Sequence, residues 1–257
     1  MRRIVVPSDV LAVMSPGEVV LGRRESHYAR DVLRMGIGDE VTLIDGVGMT
    51  GRGRITGVDK AGVRVFLNEF GKASALESPL RLTLLMSLPK GDKWELIIQK
   101  TTELGIDRLW PLYTSRTEVR VPESKVDERC ARWSRIAAEA ARQCGRSMAP
   151  EVGAPMALGD ALGLLAQEPG VDLKLVAWEG LAAVSRRGLD EVLMVTQSTP
   201  KDVVILVGGE GGLEDSEVSR CVERGFVGVS LGPRILRAET AAIAFVALLQ
   251  HRLGDIG

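Results

Sequence analysis

The chain has 257 residues, 45% of them hydrophobic, and a formal net charge of −1 at pH 7. That length suffices for two domains or one large one, burying roughly 70–75% of the unfolded surface, and the total charge gives no general attraction for a polyanion. Three scattered cysteines (Cys130, Cys144, Cys221) without a C-x-x-C spacing, and only two histidines (His27, His251), argue against a disulfide framework, a metal site and a Ser-His-Asp triad.

From Met1 to about Lys72 the pattern is of short strands, at 4–6, 18–21, 40–45, 49–58 and 62–68, separated by turns containing Gly or Asp. The early apolar run stops at Pro7, too short for a secretory signal, and the longest apolar stretch, 241–249, is less than half a membrane span. A cytoplasmic protein is expected. One helix interrupts the strands, with Ser26 as N-cap and Tyr28, Val32, Leu33 and Met35 on its apolar side. Arg30 and Arg34 then share a face at i,i+4. Met1 to Arg34 carries six arginines (Arg2, Arg3, Arg23, Arg24, Arg30, Arg34) against four acidic residues, a mild local excess compatible with phosphate contacts. A small β-barrel is expected here, an architecture that commonly binds nucleic acid.

Residues 71–79 are small and polar and read as a linker. Strands and helices alternate beyond it. A strand at 81–86 leads into a helix at 90–104, entered at Pro89 and closed by Gly105, with Trp94, Ile97, Ile98, Thr101 and Leu104 at helical spacing. Lys90 and Lys93 in its first turn oppose the helix dipole and so call for a reason. A strand at 108–112 and a long helix at 124–143 follow, the latter with Cys130, Trp133, Ile136, Ala137, Ala140 and Ala141 in its core stripe. Next come a helix at 158–167, a strand at 173–178 ending at Glu179-Gly180, and a helix and loop over 186–200.

The most informative stretch is the last. An apolar run at 203–207 stops at Gly208-Gly209-Glu210-Gly211-Gly212 before a polar helix, and a second run at 226–231 stops at Gly232-Pro233 before an alanine-rich helix. In an open α/β sheet, ligands sit at the C-terminal ends of strands, where glycine loops expose backbone groups and admit close approach. No Lys-Ser or Lys-Thr follows the first loop, and Glu214 stands where a third fingerprint glycine would be, so neither a triphosphate nor a dinucleotide is indicated.

The string GGEGGLEDSEV, followed by LGPRILRAETAA, resembles the paired C-terminal motifs of the ribosomal RNA small subunit methyltransferase E family. SHYARDVLRMGIGDEV, LPKGDKWELIIQKTTELGIDRLWPL and RWSRIAAEAARQCGR are similar to other family segments, in the expected order, so the likeness covers nearly the whole chain. It implies an α/β fold in which residues 1–72 form a PUA-like β-barrel that binds RNA. Residues 73–257 would then be a SPOUT α/β domain with a C-terminal trefoil knot. It also implies S-adenosylmethionine as cofactor, held by Val207, Gly208, Gly209, Gly211, Gly212, Leu231, Gly232 and Leu236 with Trp178 and Glu179 closing the pocket. The reaction would be methylation of uridine N3 in 16S rRNA of the small ribosomal subunit, by a homodimer without metal. Arg237 is then expected to stabilise the uridine anion, with Glu210 and Glu239 either accepting the proton or holding Arg237. Arg2, Arg3, Arg30, Arg34, Lys90, Lys93, Gln143 and Arg146 are the RNA-contact candidates. A second enzyme reading is a SPOUT methyltransferase of a ribose or a tRNA base; a third reading is a non-catalytic RNA-binding protein. The chain departs from the family pattern at Gly209, where proline is usual, and at Glu214, where a capping serine is common.

Overall fold

The computed structural model describes residues 2–12, 17–45, 48–72, 77–178, 187–196 and 198–257. They divide into two units, Met1–Glu77 with Ala141–Ala149, and Ser78–Ala140 with Pro150–Gly257.

The first unit contains β1 (Arg2–Val5), α1 (Ser8–Ala12), β2 (Gly17–Val20), α2 (Arg23–His27), β3 (Glu40–Ile44), β4 (Met49–Asp59) and β5 (Gly62–Lys72). The strands pair in the order β1-β3-β4-β5-β2. Among the described residues no pairing joins β1 to β2, so the expected barrel is seen as an open five-stranded sheet around one core. Strict alternation along β4 turns Ile55 inward and Arg52, Arg54 and Thr56 outward, as a strand with one covered face requires. Ile4, Val41, Leu43, Ile55, Val65 and Leu67 make that core.

The helix in this unit differs from expectation. Ser26 is not an N-cap: it lies inside α2, which starts after Gly22. Its buried hydroxyl donates to the Leu21 carbonyl and accepts the Val63 N–H, each at 3.0 Å, and so ties the helix to β5. Residues Tyr28–Val32 then wind as a π-helix, whose wider turn shifts the apolar register. Ala29 and Met35 go inward, while Tyr28 and Val32 are exposed. Arg34 has φ 52°, so the helix has ended and Arg30 and Arg34 share no helical face.

The second unit carries β6 (Arg81–Ser87), α3 (Lys93–Glu103), β7 (Arg108–Tyr113), α4 (Val126–Cys144, whose last residues count with the first unit), β8 (Glu151–Val152), β9 (Met156–Ala157), α5 (Leu158–Gln167), β10 (Leu173–Ala177), α6 (Leu189–Met194), β11 (Asp202–Val207), α7 (Asp215–Glu223), β12 (Phe226–Val229) and α8 (Ala238–Leu253). Its strands form a parallel sheet in the order β12-β10-β11-β6-β7-β8, with β9 also on β7. The sheet is covered on both faces, which is why its strands read as continuous apolar runs. Along β11, Val203, Ile205 and Val207 join the cluster containing Trp94, Ile98, Trp133 and Phe245, whereas Val204 and Leu206 join Leu162, Leu165, Val218 and Cys221. Burying each large side chain contributes about 1.5–3 kcal/mol.

Helix α3 starts at Lys93 behind the N-cap Asp92, so Pro89 and Lys90 precede it in a turn instead of forming its first turn. In the sheet, Ala177 at the end of β10 lies opposite both Val207 at the end of β11 and Val229 at the end of β12. The loops leaving these three strands therefore emerge side by side on one edge.

Candidate active site

At that edge lies a cleft of about 590 Å³, within the size range of small-molecule sites. One wall is the glycine loop after β11. There the Gly212 N–H donates to the Gly209 carbonyl at 3.0 Å, closing a turn in which Gly212 has φ 69°. A side chain at Gly208 would meet the Gly212 backbone at 3.0 Å, so the turn folds back tightly on a position with little room for a Cβ. Beyond it Glu214 is the N-cap of α7, and Glu217 returns its carboxylate to the Glu214 N–H at 2.9 Å. A capping box thus replaces the serine cap. The other wall is the segment after β12, including Leu231, Gly232, Leu236 and Arg237, with Trp178 beyond β10.

Charged groups are grouped at one end. Lys93 Nζ lies 2.8 Å from Glu210 Oε1 and 3.7 Å from Glu239 Oε2. The Lys90 N–H also donates to Glu210 Oε1 at 3.2 Å. Burial works to raise the Glu210 carboxyl, but the Lys93 hydrogen bond and the N–H groups of Glu210 itself and Lys90 together hold it below the usual range. Its hydrogen bond to Glu210 in turn holds the Lys93 ammonium above its ordinary value. Glu239 Oε2 is buried without a hydrogen-bond partner. Arg237 is the N-cap residue of α8, and among the described residues its exposed guanidinium makes no ion pair or side-chain hydrogen bond.

The cleft brings together Val207, Gly208, Gly209, Glu210, Gly212, Leu231, Gly232, Leu236, Trp178, Arg237 and Glu239 of the sequence-derived set. Gly211 is not on its lining: its carbonyl accepts a hydrogen bond from Arg116 Nη1 at 2.9 Å. Glu179 falls outside the described residues. Lys93, expected to contact RNA, is committed to the two carboxylates, which supplies the reason for a lysine at this helix start. Lys90 pairs with Glu118.

In the first unit, Arg146 is buried against a carboxylate. It is 7% exposed, with Nε and Nη2 on Glu77 Oε2 at 3.0 and 2.9 Å, while Glu77 Oε1 takes the N–H and hydroxyl of Ser147 and the N–H of Met148. Arg3 donates to the Gly145 carbonyl, Arg2 lies 3.8 Å from Asp39, Arg30 pairs with Asp31, and Gln143 is exposed. Sequence reasoning missed Arg116, which lines the cleft although it lies 95 residues from Gly211 in the chain, and no local signal marks it.

The chain matches the RNA methyltransferase domain over residues 76–250 and the RNA methyltransferase PUA domain over residues 21–67. A Synechocystis protein named ribosomal RNA small subunit methyltransferase E is 34% identical, over 98% of this chain and 78% of its own. Its namesake in Bacillus subtilis is 33% identical over 89% and 88%. Among solved structures, the ribosomal RNA small subunit methyltransferase E of Neisseria gonorrhoeae bound to S-adenosyl methionine has a TM-score of 0.79 at 30% identity, over 100% of both chains. A Legionella pneumophila methyltransferase in complex with the bound cofactor SAM has a TM-score of 0.76 at 31% identity, over 98% of each. The fold is that of an RNA methyltransferase with a PUA domain. Within that class, the chain belongs to the ribosomal RNA small subunit methyltransferase E family.

Proposed function

We propose that this protein methylates ribosomal RNA of the small subunit with S-adenosylmethionine, and that the target is N3 of a uridine in 16S rRNA. The carrying observation is the cleft at the ends of β10, β11 and β12, which sets a glycine turn and apolar walls beside two carboxylates and an arginine unpaired among the described residues. These residues suit the cofactor. Val207, Leu231 and Leu236 offer an apolar slot for an adenine ring, the backbone of 207–212 and 231–236 offers hydrogen bonds, and Glu210 and Glu239 favour a sulfonium cation. When bound, S-adenosylmethionine supplies the methyl group for an in-line displacement.

The chain's own contribution is orientation and charge. Holding two reactants near attack geometry is worth ~7–11 kcal/mol. Uridine N3 becomes nucleophilic as its proton leaves, and negative charge spreads onto O2 and O4. Arg237, with no competing partner among the described residues, stabilises that anion. The proton goes to Glu239 Oε2, the buried oxygen with an unused acceptor position. Glu210 is occupied by Lys93 and Lys90 and holds the glycine turn against the start of α3.

We further read the segment after β12 as part of a trefoil knot, supported by its return to the edge already occupied by the loop after β11. The first unit is read as the RNA-positioning domain, supported by its PUA match. A cytoplasmic homodimer is the working assembly. Exposed Met194, Val195, Ile235 and Leu248 support a second copy, and among the described residues no helix is long and apolar enough to cross a membrane. Incubation with radiolabelled S-adenosylmethionine and small ribosomal subunits, followed by nucleoside analysis, should give 3-methyluridine in 16S rRNA. Label in a ribose, or in tRNA alone, would refute the target; absence of cofactor binding would refute the enzyme.

A further inference from the structure

Beside the cleft lies a second pocket of about 240 Å³, which includes Tyr113, Ser115, Arg120, Glu217 and Arg220 in its lining. We infer that this pocket binds a backbone phosphate of the RNA strand whose base enters the cleft, with Arg120 and Arg220 as its ligands. The inference rests on the methyltransferase reading above.

Two features make the pocket cationic and prepared. Arg54, Arg64, Arg108, Arg132 and Arg252 are each paired with a carboxylate. Arg120 and Arg220, by contrast, are exposed and make no ion pair or side-chain hydrogen bond among the described residues. The Arg120 guanidinium rests 4.9 Å from the Tyr113 ring centre, and the Tyr113 hydroxyl accepts the Val121 N–H at 3.0 Å. A cation held over a fixed ring keeps its hydrogen-bonding edge free, and a planar guanidinium suits two oxygens of one phosphate.

The acidic residue in the pocket's lining is already engaged elsewhere. Glu217 is 1% exposed, and its oxygens are taken by the Ser115 N–H and hydroxyl at 2.8 and 3.2 Å and by the Glu214 N–H at 2.9 Å. Those bonds fix Ser115, and they also make the two sites continuous. Ser115 lines the pocket, and the next residue, Arg116, lines the cleft and holds the Gly211 carbonyl. Helix α7 spans both as well, with Asp215 on the cleft and Arg220 on the pocket. A strand with its target base in the cleft is thus led over Ser115 and Arg116 toward two unused arginines.

The test uses the full-length protein and the variants Arg120→Ala/Arg220→Ala and Arg120→Lys/Arg220→Lys. Binding of a mixed-sequence single-stranded RNA oligonucleotide is measured against salt, and methylation of small ribosomal subunits is measured in parallel. Each phosphate released removes about 0.7 from the slope of log K on log salt for a single strand, so loss of this one phosphate in the alanine pair should flatten the slope by about 0.7. The KM for subunits should rise at least tenfold while kcat and cofactor affinity stay within twofold, and the lysine pair should recover the slope. A wild-type slope and KM in the alanine pair would overturn the inference. So would a lysine pair whose salt slope is as flat as that of the alanine pair, since the charge that neutralises the phosphate is retained. If the wild type methylates no ribosomal RNA, the function above fails, while the salt slope still decides the pocket.

Discussion

Replacing Gly212 with alanine separates the shape of the cofactor loop from its chemistry. Gly212 sits at φ 69°, and a Cβ there would have only Arg116 Nη1 near it, at 4.0 Å. The substitution therefore creates no clash, and its cost is the left-handed backbone alone, ~1–2 kcal/mol. Gly225, just past α7, is a matched control: its φ is 84°, nothing lies within 4 Å of its Cβ position, and it is not in the cleft. For a chain of this size, Gly225→Ala should lower the melting temperature by about 2–8 °C, and Gly212→Ala by less, because its turn can relax in the free protein. Their cofactor affinities should diverge. The free protein can relax the strained turn at Gly212, and binding then has to restore it, so Kd for S-adenosylmethionine should weaken by about 5- to 30-fold. Gly225→Ala should stay within about twofold by the same arithmetic. Titration calorimetry alongside thermal melts reads both quantities. Equal affinities in the two variants would show that the cofactor does not use this turn.

Three further outcomes follow from the same site and its supports. Arg237→Ala should lower kcat by about 100- to 1,000-fold with cofactor affinity nearly unchanged; wild-type-like methylation would remove Arg237 from the mechanism. Glu239→Gln should lower kcat with cofactor affinity nearly unchanged, whereas Glu210→Gln should mainly weaken cofactor binding; the reverse pattern would exchange their roles. At the opposite end of the strands, Arg108 holds Glu168 through two bonds at 2.6 and 2.8 Å, and that hydrogen bonding sets the Glu168 carboxyl below its usual range. A carboxyl lowered in the folded state stabilises fully above its unfolded pKa, and the gain fades as pH falls through the folded value. Glu168→Gln should therefore cost about 1 kcal/mol at pH 7, less than a fully buried pair because of solvent screening. The gap to wild type should narrow below about pH 4.5, the ordinary glutamate range. A gap independent of pH would contradict the assignment.

What the sequence revealed and what it hid follow from range. Val203 to Val207 is apolar on both faces, and a run of that kind next to glycines marks a buried parallel strand without help from elsewhere. The cleft was legible for the same reason, since its walls are the residues just past such runs. Ser26 misled because its hydroxyl is spent on Val63, 37 residues away, so a capping residue by type is a tertiary tie by use. Arg146 is likewise tied to Glu77, 69 residues earlier, a partner that no local pattern announces. The π-helix at Tyr28–Val32 has no periodic signature of its own and moved the apolar face by less than a turn. Lys93 carried a signal, a cation at a helix start, but its partners Glu210 and Glu239 come from two distant segments.

The first unit is not contiguous in the chain, because Ala141–Ala149 belongs to it with the residues up to Glu77. On the ribosome, translation at ~5–20 residues per second delays Ala149 behind Glu77 by about 4–14 s. Until then the Glu77 carboxylate lacks Arg146, Ser147 and Met148, all of its hydrogen-bond donors given above. The amino-terminal unit is thus completed only after much of its neighbour has been synthesised, and a fragment ending at Glu77 would leave a carboxylate without the guanidinium meant to neutralise it.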